Sequence, residues 1–282
     1  MSVCVVCNIS DGVVIGVDSA TTIGDPSNPV KVYEDVPKLF RIGNLPIGLA
    51  TYGLASIAGR TIASWASEFA IIQQAQFLTT GVALIEEVVE AARAFFWIQY
   101  SNHVLGPIAV EQGLQPDQVS EDILPVLGIV IGGFSSNAFY SEVWTINIPS
   151  NRDIGTAQCL MPQQHFGSAW FAMGDPITRY TKGIDTQAMF GLEAYVDQIR
   201  QPLTDAERLE FRQVAQGREY PIVFNGMPIA KGIKYVRFLV DLVIGHHMFA
   251  VGASVVGGCC RVGYVTYEKN AFTVVPNGEI NA

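Results

Sequence analysis

The order in which strand and helix patterns follow one another constrains the fold of this chain most strongly. The first fifty residues contain short apolar, β-branched runs around the turn signals Asp11-Gly12 and Gly43-Asn44, which is typical of two hairpins. Longer segments then place apolar residues at three- and four-residue steps, which is typical of helices with one buried face. The predicted strands cover 2–9, 13–17, 38–42, 46–51, 124–134, 138–148, 165–173, 259–268 and 272–275, the predicted helices cover 54–76, 81–103, 177–182, 187–199, 204–216 and 230–248, and 24–29 is a predicted loop. Because strands and helices are segregated, the pattern predicts an α+β fold with two sheets and helical layers rather than alternating βαβ units.

Composition limits the classes of protein to which the chain can belong. Of its 282 residues, 49% are hydrophobic and 15% are charged, so it can bury a large core and an intrinsically disordered chain is excluded. The formal net charge of −9 argues against nucleic acid or an anionic lipid surface as a partner. No linker, shift in composition or internal repeat divides the sequence, so we predict a single domain over 1–282.

The chain is unusually apolar. Its mean hydropathy is +0.29, and its charged fraction lies below the roughly 25% that is usual. The best membrane candidate, 242–260, contains His246-His247 and four glycines, so it fails as a span of about 20 apolar residues. We therefore expect no membrane association and assign the apolar excess to a homo-oligomer interface. The N-terminus lacks the basic and apolar regions of a secretory signal, which predicts a cytoplasmic protein.

Metal and cofactor chemistry have no support in the sequence. The five cysteines are an odd number, which suits reduced thiols. Cys4 and Cys7 have the spacing of a zinc half-site, but they lie in a predicted strand, where residues three apart point to opposite faces. Signatures of phosphate-binding loops, zinc proteases and serine hydrolases are missing, and the four histidines are not at ligand spacing. We expect neither a metal nor a cofactor.

The N-terminus carries the one chemical peculiarity. Ser2 follows Met1, and an initiator methionine is trimmed before a small residue, so the mature chain is expected to begin with Ser2. Its α-amine would then lie beside its own hydroxyl. A free α-amine has a pKa of about 7.7–8.0, so near neutral pH it can accept the hydroxyl proton. One residue would thus be both nucleophile and general base, although many ordinary proteins also begin with Met-Ser.

A resemblance to a known family strengthens this interpretation. The run Ser2-Val3-Cys4-Val5-Val6-Cys7 and its continuation to Asp18-Ser19-x-x-Thr22 resemble, without a gap, the start of proteasome β-type subunits and their bacterial relatives, which are N-terminal-nucleophile hydrolases. The segment 38–53, which reads KLFRIGNLPIGLATYG, resembles their lysine strand and glycine-containing turn, and Gly257-Gly258 falls where the family has a Gly-Gly. The resemblance implies a four-layer αββα sandwich over most of the chain.

The resemblance also implies roles for individual residues. Ser2 would be the nucleophile, Lys38 would stabilise its alkoxide, and Asp18 would fix Lys38. The backbone N–H of Tyr52 or Gly53 would hold the oxyanion. Other interpretations stay open, because Asp18 could simply end a strand and Lys38 could be a solvated strand residue. Lys31, seven residues earlier, is a rival for the role of Lys38.

The sequence also departs from the family pattern. The family's oxyanion glycine falls on Tyr52, and its accessory aspartate and serine fall on Ala253 and Val256. A second accessory serine corresponds to Asp175, and we retain Asp175 and Ser254 as accessory candidates. The chain is longer than typical β subunits, which predicts insertions near 150–164 and 184–226.

These observations predict a cytoplasmic N-terminal-nucleophile amidohydrolase, a threonine/serine-type peptidase that acts through Ser2. Two alternatives remain: a catalytically inactive proteasome-like assembly subunit, and an amidase or acyl transferase on a small amide. The expected partners are a peptide or small amide substrate and further copies of the chain, joined through the helices predicted at 54–76 and 81–103. The sequence does not say which unfoldase, if any, would act with the protein.

Overall fold

An N-terminal hairpin opens the fold, as the sequence predicts, and the rest of the chain is a mixed α+β structure with several antiparallel sheets. The structure is a computed structural model that describes residues 2–25, 28–150, 155–216, 221–251, 256–269 and 271–275. The strands are β1 (Val3–Ile9), β2 (Gly12–Val17), β3 (Thr21–Asp25), β4 (Asn28–Tyr33), β5 (Leu39–Arg41), β6 (Ile47–Gly53), β7 (Ser56–Ile57), β8 (Arg60–Thr61), β9 (Leu127–Gly133), β10 (Glu142–Ile148), β11 (Thr156–Met161), β12 (Gly167–Ala172), β13 (Arg261–Thr266) and β14 (Thr273–Val275). The α-helices are α1 (Ile62–Thr80), α2 (Ile85–Tyr100), α3 (Gly106–Gln112), α4 (Asp175–Lys182), α5 (Thr186–Ile199), α6 (Asp205–Gln216) and α7 (Ile229–Phe249).

The longer strands form two five-stranded sheets. The first sheet has the order β12-β1-β2-β13-β14, and the second has the order β11-β10-β9-β6-β5, with antiparallel pairing throughout. β3 pairs with β4, and β7 pairs with β8, in two small hairpins. The ends of β1, β2 and β5 carry the predicted site residues, so the relative position of the two sheets decides whether a site exists.

β1 is buried on both faces, which explains why Asn8 is the one polar residue in its sequence. Val3 and Cys7 pack on the side of α7, whereas Cys4 and Val6 pack against residues of the second sheet such as Ala50. The prediction that Cys4 and Cys7 point to opposite faces is thus confirmed. Each fully buried aliphatic side chain contributes about 1.5–3 kcal/mol, so this strand anchors Ser2 firmly.

Helices cover the sheets with apolar stripes. On α7 the buried residues recur at helical spacing and contact the first sheet; they include Ile233, Val236, Leu239, Val240 and Val243. On α1 and α2, Phe69 and Phe96 pack in a cluster with Leu49 and Ile129 of the second sheet. Within the described residues, no helix has the length and apolar character needed to cross a bilayer.

The sequence mispredicted several boundaries. Strands β3 and β4 extend into the predicted loop over 24–29, because backbone pairing overrides the local preference of Gly24 and Pro29; residues 26–27 lie outside the described residues. The helix predicted from residue 54 starts at Ile62, because 56–61 forms the β7–β8 hairpin and Thr61 accepts a capping bond from the N–H of Ser64.

Two further differences concern the predicted insertions and the second helix. The first insertion, near 150–164, contains β11, which places Cys159 in a strand of the second sheet. The second, near 184–226, contains α5 and α6. The helix predicted over 81–103 ends as α2 at Tyr100 and continues through a π-helical turn, Ser101–Leu105, into α3.

Three consecutive residues, Phe95-Phe96-Trp97, form an aromatic triplet in α2, and adjacent helical residues about 100° apart cannot all face one core. Phe96 is fully buried, and the ring of Phe95 lies 5.6 Å from that of Phe69 on α1, so the neighbouring helix covers part of the triplet. Trp97 stacks on Tyr100, with ring centroids 6.2 Å apart. The exposed apolar residues of this helix pair lie elsewhere: they are Ile71, Ile72, Leu78 and Ile98.

Candidate active site

Three predicted residues meet where the two sheets touch. Ser2 precedes β1, Asp18 follows β2, and Lys38 precedes β5. Lys38 Nζ donates to Ser2 Oγ at 2.9 Å and to Asp18 Oδ1 at 2.8 Å. All three residues are buried. The structure therefore brings the predicted hydroxyl, ammonium and carboxylate into one continuous hydrogen-bonded chain.

Backbone pairing explains this convergence. β1 and β2 form an antiparallel hairpin in which Cys4 pairs with Val17, so the residues just beyond the strand ends are neighbours. The N–H of Asp18 donates to the carbonyl oxygen of Val3 at 3.3 Å. Lys38 is held by the second sheet, because its carbonyl oxygen accepts the N–H of Thr51 at 2.9 Å. The site thus depends on the packing of one sheet on the other.

The carboxylate of Asp18 is held by backbone groups as well as by Lys38. Its Oδ1 accepts the N–H of Val3 at 3.0 Å, and its Oδ2 accepts those of Ala20 at 3.3 Å and Gly257 at 3.4 Å. Buried N–H donors of this kind stabilise the ionised form and fix its orientation. Asp18 therefore positions the ammonium group of Lys38.

Lys38 differs electrostatically from its rival Lys31. Burial lowers the pKa of the Lys38 ammonium below its ordinary value, and the neighbouring Asp18 carboxylate opposes that shift. Lys31 is exposed on β4, where its Nζ lies 5.9 Å from the ring centre of Tyr33. The structure thus places Lys38, not Lys31, against the hydroxyl of Ser2.

A junction next to the site was not foreseen from the sequence. Ser19 Oγ donates to the carbonyl oxygen of Glu34 and accepts the N–H of Cys259 at 2.9 Å. A side chain at Gly258, whose φ is +70°, would collide with both Glu34 and Ser19. The junction connects Ser19, the residue after Asp18, and the β4–β5 connection to the segment before β13. Ser19 and Cys259 lie 240 residues apart in sequence, so no local pattern reveals the contact between them.

The Tyr52 side chain lies between the sheets. Its hydroxyl donates to Asn147 Oδ1 at 2.9 Å, and its ring stacks on Phe171 with centroids 5.4 Å apart. A Cβ at Gly128 would overlap that ring, so glycine at this position makes room for it. Burial raises the pKa of the Tyr52 hydroxyl to about 12. The ring is therefore a packed core group, and Tyr52 adds to the lining of the neighbouring cleft at the end of β6.

Strand geometry distinguishes the two candidate oxyanion donors. The N–H of Thr51 points to the β5 side, where it meets the carbonyl oxygen of Lys38. Because successive N–H groups alternate along an antiparallel strand, the N–H of Tyr52 points towards β9, and that of Gly53 points to the Lys38 side. Gly53 has a φ of +87°, and a side chain there would collide with the carbonyl oxygen of Val126.

Asp175, the accessory candidate that the structure describes, does not line the cleft beside Ser2. Asp175 starts α4 and lines a different cavity with Arg179, Asp185 and His246. Ser254 and Ala253 lie outside the described residues. Val256, at the other family accessory position, is fully buried in the apolar cluster under α7.

A cleft opens beside Ser2. It has about 370 Å³ of empty space, counted to its open mouth. Its lining comes from the β2–β3 and β4–β5 connections, the end of β6 and the start of α1; the residues are Ser2, Thr21, Thr22, Val36, Pro37, Lys38, Thr51, Tyr52, Gly53, Leu54, Ala55, Ile62 and Ala63. A substrate carbonyl could reach the hydroxyl of Ser2 from this cleft.

No cluster of three or more metal-binding side chains occurs in the part of the chain that the structure describes.

Comparison with known proteins adds no family: no protein-family model matches the chain, and no curated protein matches it significantly in sequence. Function therefore has to be argued from the geometry of the site and from the resemblance of the N-terminal motifs.

Proposed function

We propose that the chain is a proteasome-like N-terminal-nucleophile amidohydrolase that cleaves peptide or small amide bonds through an acyl-enzyme on Ser2. The observation that carries the proposal is the buried hydrogen-bonded chain from Ser2 through Lys38 to Asp18. A buried lysine and aspartate are costly unless paired, and a pair aimed at a terminal serine hydroxyl has a direct chemical use.

In the proposed reaction, the α-amine exposed by loss of Met1 accepts the hydroxyl proton as Ser2 Oγ attacks the carbonyl carbon. Lys38 stabilises the developing alkoxide, and the N–H of Gly53 stabilises the oxyanion. The resulting ammonium group of Ser2 protonates the leaving amine as the C–N bond breaks. Water then attacks the ester, with the amine again accepting and returning the proton.

Helix packing also supports the proposal. α7 packs on the first sheet, α1 and α2 pack on the second, and a third apolar cluster joins residues of both sheets. This layer order supports the proposal of a four-layer αββα sandwich, in which the catalytic candidates would lie at one end of the sheets. The interpretation as an N-terminal-nucleophile fold rests on this layer order together with the motif resemblance.

One observation favours an inactive assembly subunit as the second candidate. Val256 is apolar and buried where the family pattern has an accessory serine, so proton transfer at the amine would lack that group. In either case we propose that copies of the chain associate through the exposed apolar residues of α1 and α2. Light scattering that gives a monomer of 30.6 kDa at micromolar concentration would contradict this association.

Labelling with a fluorophosphonate probe tests the enzymatic proposal. The wild-type protein should be phosphonylated at Ser2 Oγ with loss of fluoride, and Ser2→Ala should lose labelling while keeping its circular dichroism spectrum. Ser67→Ala, which removes an exposed hydroxyl on α1, is the matched control and should label at the wild-type rate. Labelling of Ser2→Ala at the wild-type rate would refute Ser2 as the nucleophile. A folded wild-type protein that is not labelled would favour the assembly subunit.

A further inference from the structure

The cleft beside Ser2 has a chemical character that narrows the substrate. Apart from Lys38, its lining carries no charged side chain among the described residues, and the ammonium of Lys38 is already bonded to Asp18 and Ser2. From this we infer that the site selects an acyl group with a small, uncharged side chain. The inference rests on the proposed function, because it concerns the acyl group that Ser2 would receive.

The cost of desolvation excludes a charged substrate side chain from the cleft. A cationic substrate side chain would enter next to Lys38 without an acidic partner in the lining, and an anionic one would compete with Asp18 for an ammonium that Asp18 holds at 2.8 Å. Burying an ionised group without a new partner is strongly unfavourable. A neutral side chain avoids both costs.

The wall of the cleft at the start of α1 limits the size of the substrate side chain. Ile62 is buried, and Ala55 and Ala63 are half-buried lining residues. The N–H of Ile62 donates to the carbonyl oxygen of Ala55 at 3.0 Å, and the Thr61 cap fixes the first turn, so this wall cannot easily move. The empty space of about 370 Å³ includes the open mouth of the cleft, so the enclosed part is smaller, and it has to hold the substrate backbone as well.

A hydroxyl in the lining suits a neutral ligand. The buried Oγ1 of Thr22 has no hydrogen-bond partner within the described part of the chain. A buried hydroxyl can donate to or accept from a neutral amide, which a substrate backbone supplies. The cleft therefore offers uncharged walls for a short side chain, with Thr22 among the residues that line it.

The test is protection of Ser2 by N-acetyl aminoboronic acids, which form reversible adducts with serine hydroxyls. Compounds with the side chains of Ala, Val, Phe, Lys and Glu compete with the fluorophosphonate for Ser2. Intact mass spectrometry measures how much fluorophosphonate adduct forms in the presence of each compound. The Ala and Val compounds should protect at concentrations at least about tenfold lower than the other three, since even one methylene of misfit in such a pocket changes selection by about that factor.

Two variants test the walls directly. Ala63→Leu should weaken protection by the Val compound at least about tenfold, whereas Ala75→Leu, an exposed change on the same helix, should leave it unchanged. Val36→Asp should bring protection by the Lys compound closer to that by the Ala compound, because it adds the missing acidic partner.

The outcomes separate this inference from the function on which it rests. Ser2 can be labelled while the Phe, Lys or Glu compound protects it as well as the Ala and Val compounds do, or while no compound protects it. Either result would refute the inferred selectivity but not the role of Ser2 as the nucleophile. If Ser2 is not labelled in the folded protein, both fail.

Discussion

Replacing Lys38 with methionine tests the energetics of the site without any substrate. The Lys38 and Asp18 side chains are 7% and 0% exposed, and their charged atoms are 2.8 Å apart. At that distance and an effective dielectric constant of about 20, their attraction is about 6 kcal/mol, most of which offsets the cost of removing two charges from water. Methionine leaves the carboxylate of Asp18 buried without its cation.

Breaking a buried ion pair in this way costs about 3–5 kcal/mol. Because three backbone N–H groups still bind the carboxylate, we expect the lower end, about 3 kcal/mol, for Lys38→Met. Asp18→Asn should cost a similar amount, since its new amide donors would face the N–H groups of Ala20 and Gly257. The double variant should cost about 2 kcal/mol less than the sum of the two.

Urea unfolding followed by tryptophan fluorescence measures these changes, and the denaturant slope should stay constant. Arg200→Met is the control, because the Arg200–Glu207 pair is about half exposed and such pairs contribute at most about 1 kcal/mol. A cost for Lys38→Met equal to that of Arg200→Met, or strict additivity in the double variant, would show that the buried pair is not formed as described.

Three other outcomes follow from the same geometry. Lys38→Ala should lower the rate of Ser2 acylation by orders of magnitude while Lys31→Ala leaves it unchanged, and a sensitive Lys31 would refute the assignment. Gly53→Ala should lower both the acylation rate and the free energy of unfolding more than Gly59→Ala, because Gly59 also has a positive φ but has open space around it. Equal losses of unfolding free energy in urea would contradict the close approach of Gly53 to the carbonyl oxygen of Val126. Burial raises the pKa of Cys7 to about 12, so the folded state retains a proton that the unfolded chain releases, and stability should fall as pH rises from about 9 to 12. Cys7→Ala should flatten that fall in unfolding titrations, and an unchanged slope would refute it.

Local pattern predicted much of this fold because most of its elements are locally determined. The β1–β2 hairpin has strands that are apolar apart from Asn8 around a turn signal, and α7 has a clear apolar stripe, so both are found close to their predicted positions. The β3–β4 hairpin was missed because its Gly24 and Pro29 are typical of loops, and pairing across the hairpin outweighs that preference. β11 was missed because it gains its partner only from β10 of the second sheet.

In the site too, some features could be predicted from the sequence and others depend on strand pairing. Ser2 could be proposed from its place after Met1, and Asp18 and Lys38 from the resemblance of their motifs to a known family; all three lie at the ends of short, predictable strands. The direction of the Tyr52 ring and the choice between its N–H and that of Gly53 depend on the register between β6 and its neighbours. Register is a property of strand pairing through space, so the sequence left both donors open.

The central claim is that Ser2 is a free N-terminal nucleophile, and intact mass spectrometry of the natively expressed protein tests it most directly. We expect the mass of a chain that begins at Ser2, and after fluorophosphonate treatment a single adduct that peptide mapping places on that N-terminal residue. A chain that retains Met1 in full, or an adduct that forms on another residue while Ser2 stays unmodified, would contradict the account.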